Sequence, residues 1–154
     1  MAYNSTTFRG AGTEIIRSAQ FEDVANTQQK LIIGVQHHIY TVLSVTAQCR
    51  SRTSTNGGWL GMTTFDAYTG TSAQNFYFAQ VRIDPEQTWV WNDKVSFNGY
   101  EPDWSGHSGQ MTTAAEQDAI ADQGGSASQS LYFSTDDSGT KFDVTVTYID
   151  QNNA

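Results

Sequence analysis

The sequence predicts an all-β protein, an antiparallel β-sandwich of the jelly-roll-like or immunoglobulin-like kind, on three observations. Short runs of alternating apolar and polar residues recur along the chain, which is the period-two pattern of half-buried strands. Turn residues such as Gly, Asn, Asp and Ser separate these runs. Ser, Thr, Asn and Gln make up 54 of the 154 residues, beside 13 Gly, and this composition favours short strands over a helical bundle. We expect roughly seven to nine strands.

The stretch from Phe76 to Gly99 is expected to form the centre of the fold as a three-stranded meander. The alternation changes parity after Phe78, which predicts a bulge or a strand break near Ala79 and Gln80. Asp84-Pro85 should end the first of these strands, and Asn92-Asp93 should turn the chain between the second and the third. The following side chains are predicted to lie in the core: Phe78, Trp89, Val95, Phe97, Val144, Val146 and Tyr148.

Strands on either side of this centre are predicted from the same alternation. Leu31 to Ile33 forms a strand that Gly34 ends, and His38 to Cys49 forms a long strand with a bulge in its middle. Phe142 to Tyr148 alternates most regularly of all. Thr13 to Val24 alternates poorly, so only a short strand or a turn is expected there.

The length indicates a single domain, residues 13–154, preceded by a flexible N-terminal arm, residues 1–12. Two insertions are expected within it, at about 50–75 and 100–130. The first opens with a loop from Arg50 to Gly61, rich in Gly and hydroxyl side chains. The second carries one short helix, which a capping box of Thr113 and Glu116 would begin and Gly124 would end.

The net charge of −8 argues against a protein that binds nucleic acid, because no basic stripe is present. No apolar run reaches the roughly 20 residues of a membrane helix, and the first residues lack the apolar segment of a signal peptide. Cys49 is the only cysteine, so no internal disulfide can form. We therefore expect a protein made in a cytoplasm, without membrane or nucleic-acid partners.

The residues that could carry chemistry favour structural interpretations. His37 and His38 are adjacent on a predicted strand, so their side chains point to opposite faces and cannot hold one ion together. Cys49 lacks the histidine context of a nucleophile and is expected to be buried. Asp136-Asp137-Ser138-Gly139 is explained by a hairpin turn. No catalytic residue, cofactor site or metal site is predicted.

Aromatic residues in the predicted loops leave a choice of interpretations. Trp59, Tyr100 and Trp104 are hard to bury locally in such segments. They could contact another protein, stack on sugars, or fold back over the edge of the sandwich. The sequence does not choose among the three.

The chain resembles the small β-sandwich virion structural proteins of tailed bacteriophages. The resemblance follows a polar start MAYNSTTFRG, the strands KLIIG and YTVLSVTAQ, the step FAQVRIDP, then WVWNDKVSFNG and a final KFDVTVTYID. It implies a capsid decoration (cement) protein or a tail-associated protein. Such a protein would be located in the virion, form a homotrimer, bind the major capsid protein or other virion proteins, and have no enzyme activity.

Partner contacts are expected at the N-terminal arm and at the aromatic loops. The side chains expected to make them are Tyr3, Phe8, Arg9, Trp59, Tyr100 and Trp104. The alternative is a carbohydrate-binding or receptor-binding tail module in which Trp59 and Trp104 stack on sugar rings. Asn56 and Asp103 are close to these tryptophans in sequence and would supply hydrogen bonds.

Overall fold

A computed structural model describes residues 12–65, 73–100, 112–115 and 127–153. Nine strands lie in these residues, and the prediction of an all-β sandwich is confirmed. The strands are β1 Thr13–Val24, β2 Gln29–Ile33, β3 His38–Ser51, β4 Gly58–Phe65, β5 Ala73–Val81, β6 Thr88–Trp91, β7 Val95–Asn98, β8 Ser130–Thr135 and β9 Lys141–Asn152.

Two antiparallel sheets pack face to face. The first sheet has the order β1-β9-β3, and β6 and β7 both pair with the far side of β3. The second sheet has the order β2-β8-β4-β5. The strands that pair on both sides thus lie in the centre of each sheet. The edges are formed by β1, β2, β5 and the line of β6 and β7.

The core lies between the inner faces of the two sheets. In β9, Phe142, Val144 and Val146 are fully buried and alternate with half-buried polar residues. Burying side chains of this size stabilises the fold by about 1.5–3 kcal/mol each. From the second sheet, Leu60 and Phe133 oppose them.

The predicted core is confirmed in part. Phe97, Val144 and Val146 are buried, and the other four predicted side chains are half-buried and pack against the core. Those four are Phe78, Trp89, Val95 and Tyr148.

The predicted meander is wrong. β5 belongs to the second sheet, whereas β6 and β7 belong to the first, so none of the three pairs with another. No turn reverses the chain at Asn92-Asp93, because β6 and β7 follow one another along β3 in the same direction. Trp91 pairs with Val45 and Val95 pairs with Val42, so the chain only bulges between them. Alternation identifies faces of a strand, and it does not identify the neighbouring strand.

Two further predictions about strands need correction. Thr13–Val24 is a full strand of 12 residues that pairs along β9, not a short strand or a turn. The loop predicted from Arg50 to Gly61 ends earlier, because β4 begins at Gly58. The insertion expected at about 50–75 therefore contains β4, which lies between β8 and β5 within the second sheet.

Other local predictions are confirmed. β3 is long and bulges between Val42 and Ser44, and the bulge of β5 falls at Phe78, within two residues of the expected place. β2 ends at Ile33, before Gly34. The helix expected from Thr113 is helical at Ala114 and Ala115, and its remainder lies outside the described residues.

Candidate assembly surfaces

One end of the sandwich is where the chain leaves the two sheets for the N-terminal arm and for the segments around 66–72 and 101–126. We call it the terminal end. The register places the adjoining described residues there, since Asn152 pairs with Thr13 and His38, and Ser130 pairs with Ile33 and Thr63. These adjoining residues are Gly12, Phe65, Ala73, Tyr100, Ala127 and Asn153.

Backbone hydrogen bonds fix the chain at the points where it leaves the terminal end. The amide of Gly12 donates to the carbonyl of Asn152, and the amide of Asn153 donates to the carbonyl of His37 at 2.8 Å. Tyr100 forms an isolated antiparallel bridge with Ser128. The arm and the segment 101–126 are thus attached to rigid positions.

The two sheets are joined at this end by a close approach of two glycines. A Cβ atom on Gly34 would meet the carbonyl oxygen of Gly99 at 1.9 Å, so no larger residue fits without moving the backbone. Gln129 adds hydrogen bonds to this contact. Its amide donates to the carbonyl of Gly99, and its side chain donates to the carbonyl of Asn98 at 2.9 Å. The terminal end is therefore held as one rigid surface.

A buried carboxylate lies just beneath this surface. Asp150 is 4% exposed, and its two oxygens accept from different partners. Arg17 Nε donates to Oδ2 at 3.0 Å, and His38 Nδ1 lies 2.7 Å from Oδ1. Since an ionised carboxylate only accepts, the His38 Nδ1 carries the proton in this pair. The carboxylate ties β1, β3 and β9 together where the chain leaves them.

Two tyrosines surround the same carboxylate. Burial, followed by the nearby charge of Asp150, raises the pKa of Tyr40 to about 12. The Tyr40 hydroxyl accepts a hydrogen bond from the amide of Val35 at 3.0 Å. Burial also raises the pKa of Tyr148. The polar atoms around Asp150 thus bind one another and the backbone of Val35, which is a structural role.

The structure separates the residues that the sequence proposed for partner contacts. Tyr3, Phe8, Arg9 and Trp104 lie outside the described residues. Tyr100 is half-buried at the terminal end. Trp59 lies in β4 rather than in a loop, and it pairs with Gln80 and Ser134 near the opposite end.

Trp59 forms part of an aromatic group on the outer face of the second sheet. Its ring contacts that of Tyr77 at 6.3 Å between centroids, and Tyr77 contacts Tyr132 at the same distance. Tyr77 is 54% exposed, Trp59 is half-buried and Tyr132 is fully buried, so Tyr77 is the ring of this group that solvent reaches most. This group could not be predicted from the sequence, because Tyr77 and Tyr132 are far apart along the chain.

A second aromatic group spans the open side of the sandwich, between the edge strand β5 and the edge formed by β6 and β7. Phe76 contacts Phe78 at 5.3 Å, Phe78 stacks on Trp91 at 6.3 Å, and Trp91 contacts Trp89 at 6.1 Å. We call these four residues the aromatic row. Phe76 is 59% exposed, although the sequence placed this stretch at the centre of the fold.

The opposite end of the sandwich is a closed network of hydrogen bonds. Asp137 Oδ1 accepts from the Thr53 hydroxyl at 2.8 Å and from the amides of Gly139 and Thr140. The Thr53 hydrogen bond is the main cause that lowers the pKa of Asp137. Asp136 accepts from Ser54 at 2.7 Å in the same way. The hairpin turn predicted at 136–139 is confirmed, and its carboxylates are used by the turn itself.

The described residues contain no group of three or more side chains placed to hold a metal ion. Cys49 is buried, and this burial raises the pKa of its thiol. His37 is exposed and His38 is half-buried, but His37 lies in the turn before β3 with a φ of 62°, so the prediction that the two are neighbours on one strand is wrong.

No known protein-family model matches this chain, and a search of curated proteins found no relative. Within the described residues, no helix is long and apolar enough to cross a membrane.

Proposed function

We propose that this protein is a structural component of a tailed-bacteriophage virion, a decoration protein that binds the assembled head through its terminal end. The observation that carries the proposal is that the N-terminal arm and the segment 101–126 both leave the sandwich at this one end, from fixed positions. The resemblance to small virion β-sandwich proteins supports the choice of partner, the major capsid protein.

This geometry suits a protein that attaches to a repeating surface. A rigid sandwich whose chain leaves it at one end can lay the leaving segments along its partner while the body stays folded. Any ordering of a segment on binding costs free energy, which lowers the affinity of a single copy. Several linked copies on one lattice would offset that cost through a high effective concentration.

Deleting residues 2–11 tests the proposal. We expect the truncated protein to keep its strand-rich circular dichroism spectrum, because β1 is paired with β9 from Thr13 onwards. It should lose attachment to assembled heads, measured by co-sedimentation with shells that lack the protein. A variant with the same number of Gly and Ser residues in place of 2–11 is the control for length.

Full occupancy of shells by the truncated protein would exclude the arm as the anchor. Absence of the protein from purified particles, checked by mass spectrometry with copy number relative to the major capsid protein, would exclude the virion role itself.

A carbohydrate-binding function is the second candidate, and the contact of the half-buried Trp59 with the exposed ring of Tyr77 favours it. Aromatic rings on a sheet surface can stack on sugar rings, and Gln80 and Asn56 lie beside them. Binding to a glycan array that Trp59→Ala and Tyr77→Ala both abolish would support this candidate. Shell binding that both variants retain would favour the decoration role.

A further inference from the structure

The edge strand β5 carries no charged side chain. Its nine residues, AQNFYFAQV, contain neither a carboxylate nor a basic group, and it pairs only with β4 among the described strands. An edge strand presents unpaired backbone N–H and C=O groups along its free side. Long edges of this kind are usually protected by charges, proline or a covering segment.

The other edges of the sandwich carry the charges that β5 lacks. β1 contains Glu14, Arg17, Glu22 and Asp23, and β2 contains Lys30. Asp93 and Lys94 lie between β6 and β7. β5 is therefore the edge at which another strand meets no charged side chain.

The aromatic row lies directly beside this edge. A strand added to β5 would extend the second sheet, and its inner side chains would lie over Phe76 and towards Trp91. Phe76 would then lose much of the exposure that it has in the single chain. The edge thus offers backbone hydrogen bonds and apolar contact together.

We propose that β5 pairs with β5 of a second copy of this chain, antiparallel and about a two-fold axis. Two copies each carry a net charge of −8 and repel one another, so their contact is favoured where charge is absent. Pairing about a two-fold axis satisfies both free edges with the same residues and joins the two second sheets into one. The two aromatic rows then face each other across the axis.

This inference rests on the proposed structural role, in which copies associate with one another. It assigns that association to one contact, the pairing of β5 with β5 of a second copy, which we call the two-fold joint. A two-fold joint makes a dimer the basic unit, in place of the trimer that the resemblance implies.

Sedimentation of the full chain tests the joint. We expect the wild type to form dimers at micromolar concentration. Phe76→Lys should weaken dimerisation by about tenfold or more, because it sets like charges against each other near the axis. Ile16→Lys is the matched control, since Ile16 is 69% exposed on the edge strand β1 and its change should leave the dimer intact.

Cysteine cross-linking provides a positive signal that does not depend on weakening the protein. Asn75→Cys, Tyr77→Cys and Gln80→Cys each place one thiol on the outer face of β5. Antiparallel partners lie roughly 4.5–5.5 Å apart between Cα atoms, within reach of a disulfide. At least one of the three variants, alone or mixed with another of the three, should form a covalent dimer under mild oxidation, while Ile16→Cys should not.

Three outcomes would overturn the inference. The first is a wild type that stays monomeric at a concentration on the order of 100 µM, which corresponds to the weakest dimerisation of interest. The second is an oligomer that Phe76→Lys leaves unchanged. The third is the absence of cross-links at all three positions. Shell co-sedimentation of the same variants separates this result from the proposed function. A monomeric wild type that binds shells overturns the joint alone, and a dimer that ignores shells overturns the decoration role alone.

Discussion

At the scale of single residues, the polar groups beneath the terminal end show how the fold accommodates a buried charge. Asp150 is paired with Arg17 and His38, so its carboxylate exchanges water for two directed hydrogen bonds. Pairing of this kind offsets part of the free-energy cost of burying the charge. The nearby phenol of Tyr40 remains neutral, because a second negative charge there would be neither solvated nor paired.

The pKa of Tyr40 predicts a loss of stability at high pH. The folded pKa of about 12 is above the ordinary value of 10. Below pH 10 the phenol is protonated in both states, whereas between pH 10 and 12 the unfolded chain releases the proton and the folded chain retains it. The free energy of unfolding should therefore fall as pH rises above 10.

Tyr40→Phe tests this pH dependence by urea denaturation at a series of pH values from 8 to 11. The variant should be less stable at pH 8 by about 1 kcal/mol, because Val35 loses its hydrogen-bond acceptor. Its stability should decline less steeply above pH 10 than that of the wild type. Parallel declines in the two proteins would show that Tyr40 does not titrate in this range.

The environment of Asp150 could not be predicted from the sequence. Its partners Arg17 and His38 are 133 and 112 residues away along the chain, and only the order of β1, β9 and β3 brings them together. The local pattern also misplaced His37, which lies in the turn before β3 with a φ of 62° and not on the strand.

At the scale of the strands, β9 is the element whose sequence pattern predicts most directly which side chains are buried. It lies between β1 and β3 and is paired along almost its whole length on both sides. From Phe142 to Tyr148 its inner residues are apolar and the outer residues between them are polar, which is the pattern of a central strand with one face on the core. The regular alternation from Phe142 to Tyr148 therefore predicted this strand correctly.

Val146→Asp tests the importance of that inner face. Val146 is fully buried, and an aspartate there would be a charge without a partner, at a cost of several kcal/mol. We expect loss of the folded state, seen in circular dichroism as the absence of a cooperative thermal unfolding transition. Thr147→Asp is the matched control on the outer face of the same strand, and it should remain folded. Equal stability of the two variants would contradict the assigned faces.

β5 shows the limit of such patterns. Its alternation predicted a strand, and its parity change predicted the bulge that the structure places at Phe78. Nothing in the alternation distinguishes a central strand from an edge, because that depends on which strands lie beside it. The aromatic residues of β5 therefore suggested a core, although the strand lies at the side of the second sheet that leaves Phe76 and Tyr77 exposed.

At the scale of the whole molecule, the arrangement of the strands in two layers is the part of the fold that the sequence predicts best. The layer architecture followed from the number and spacing of the strands, whereas the order of strands within each sheet did not, because most pairings join distant parts of the chain. The terminal end could not be predicted either, since it exists only when both sheets are in register. Its closing contacts are Gly34 with Gly99, and Tyr100 with Ser128.

The bridge between Tyr100 and Ser128 predicts that the sandwich folds without the segment between Tyr100 and Ala127. The Tyr100 bridge to Ser128 brings the two ends of that segment together, so a linker of about four Gly and Ser residues can replace residues 101–126. A shorter loop lowers the entropy cost of closure by about 1–2 kcal/mol. The shortened protein should therefore be at least as stable as the wild type in urea denaturation, with the same strand signal in circular dichroism. Loss of that signal would show that the removed residues complete the core. With the fold retained, co-sedimentation with shells would then show whether attachment depends on this segment or on the arm alone.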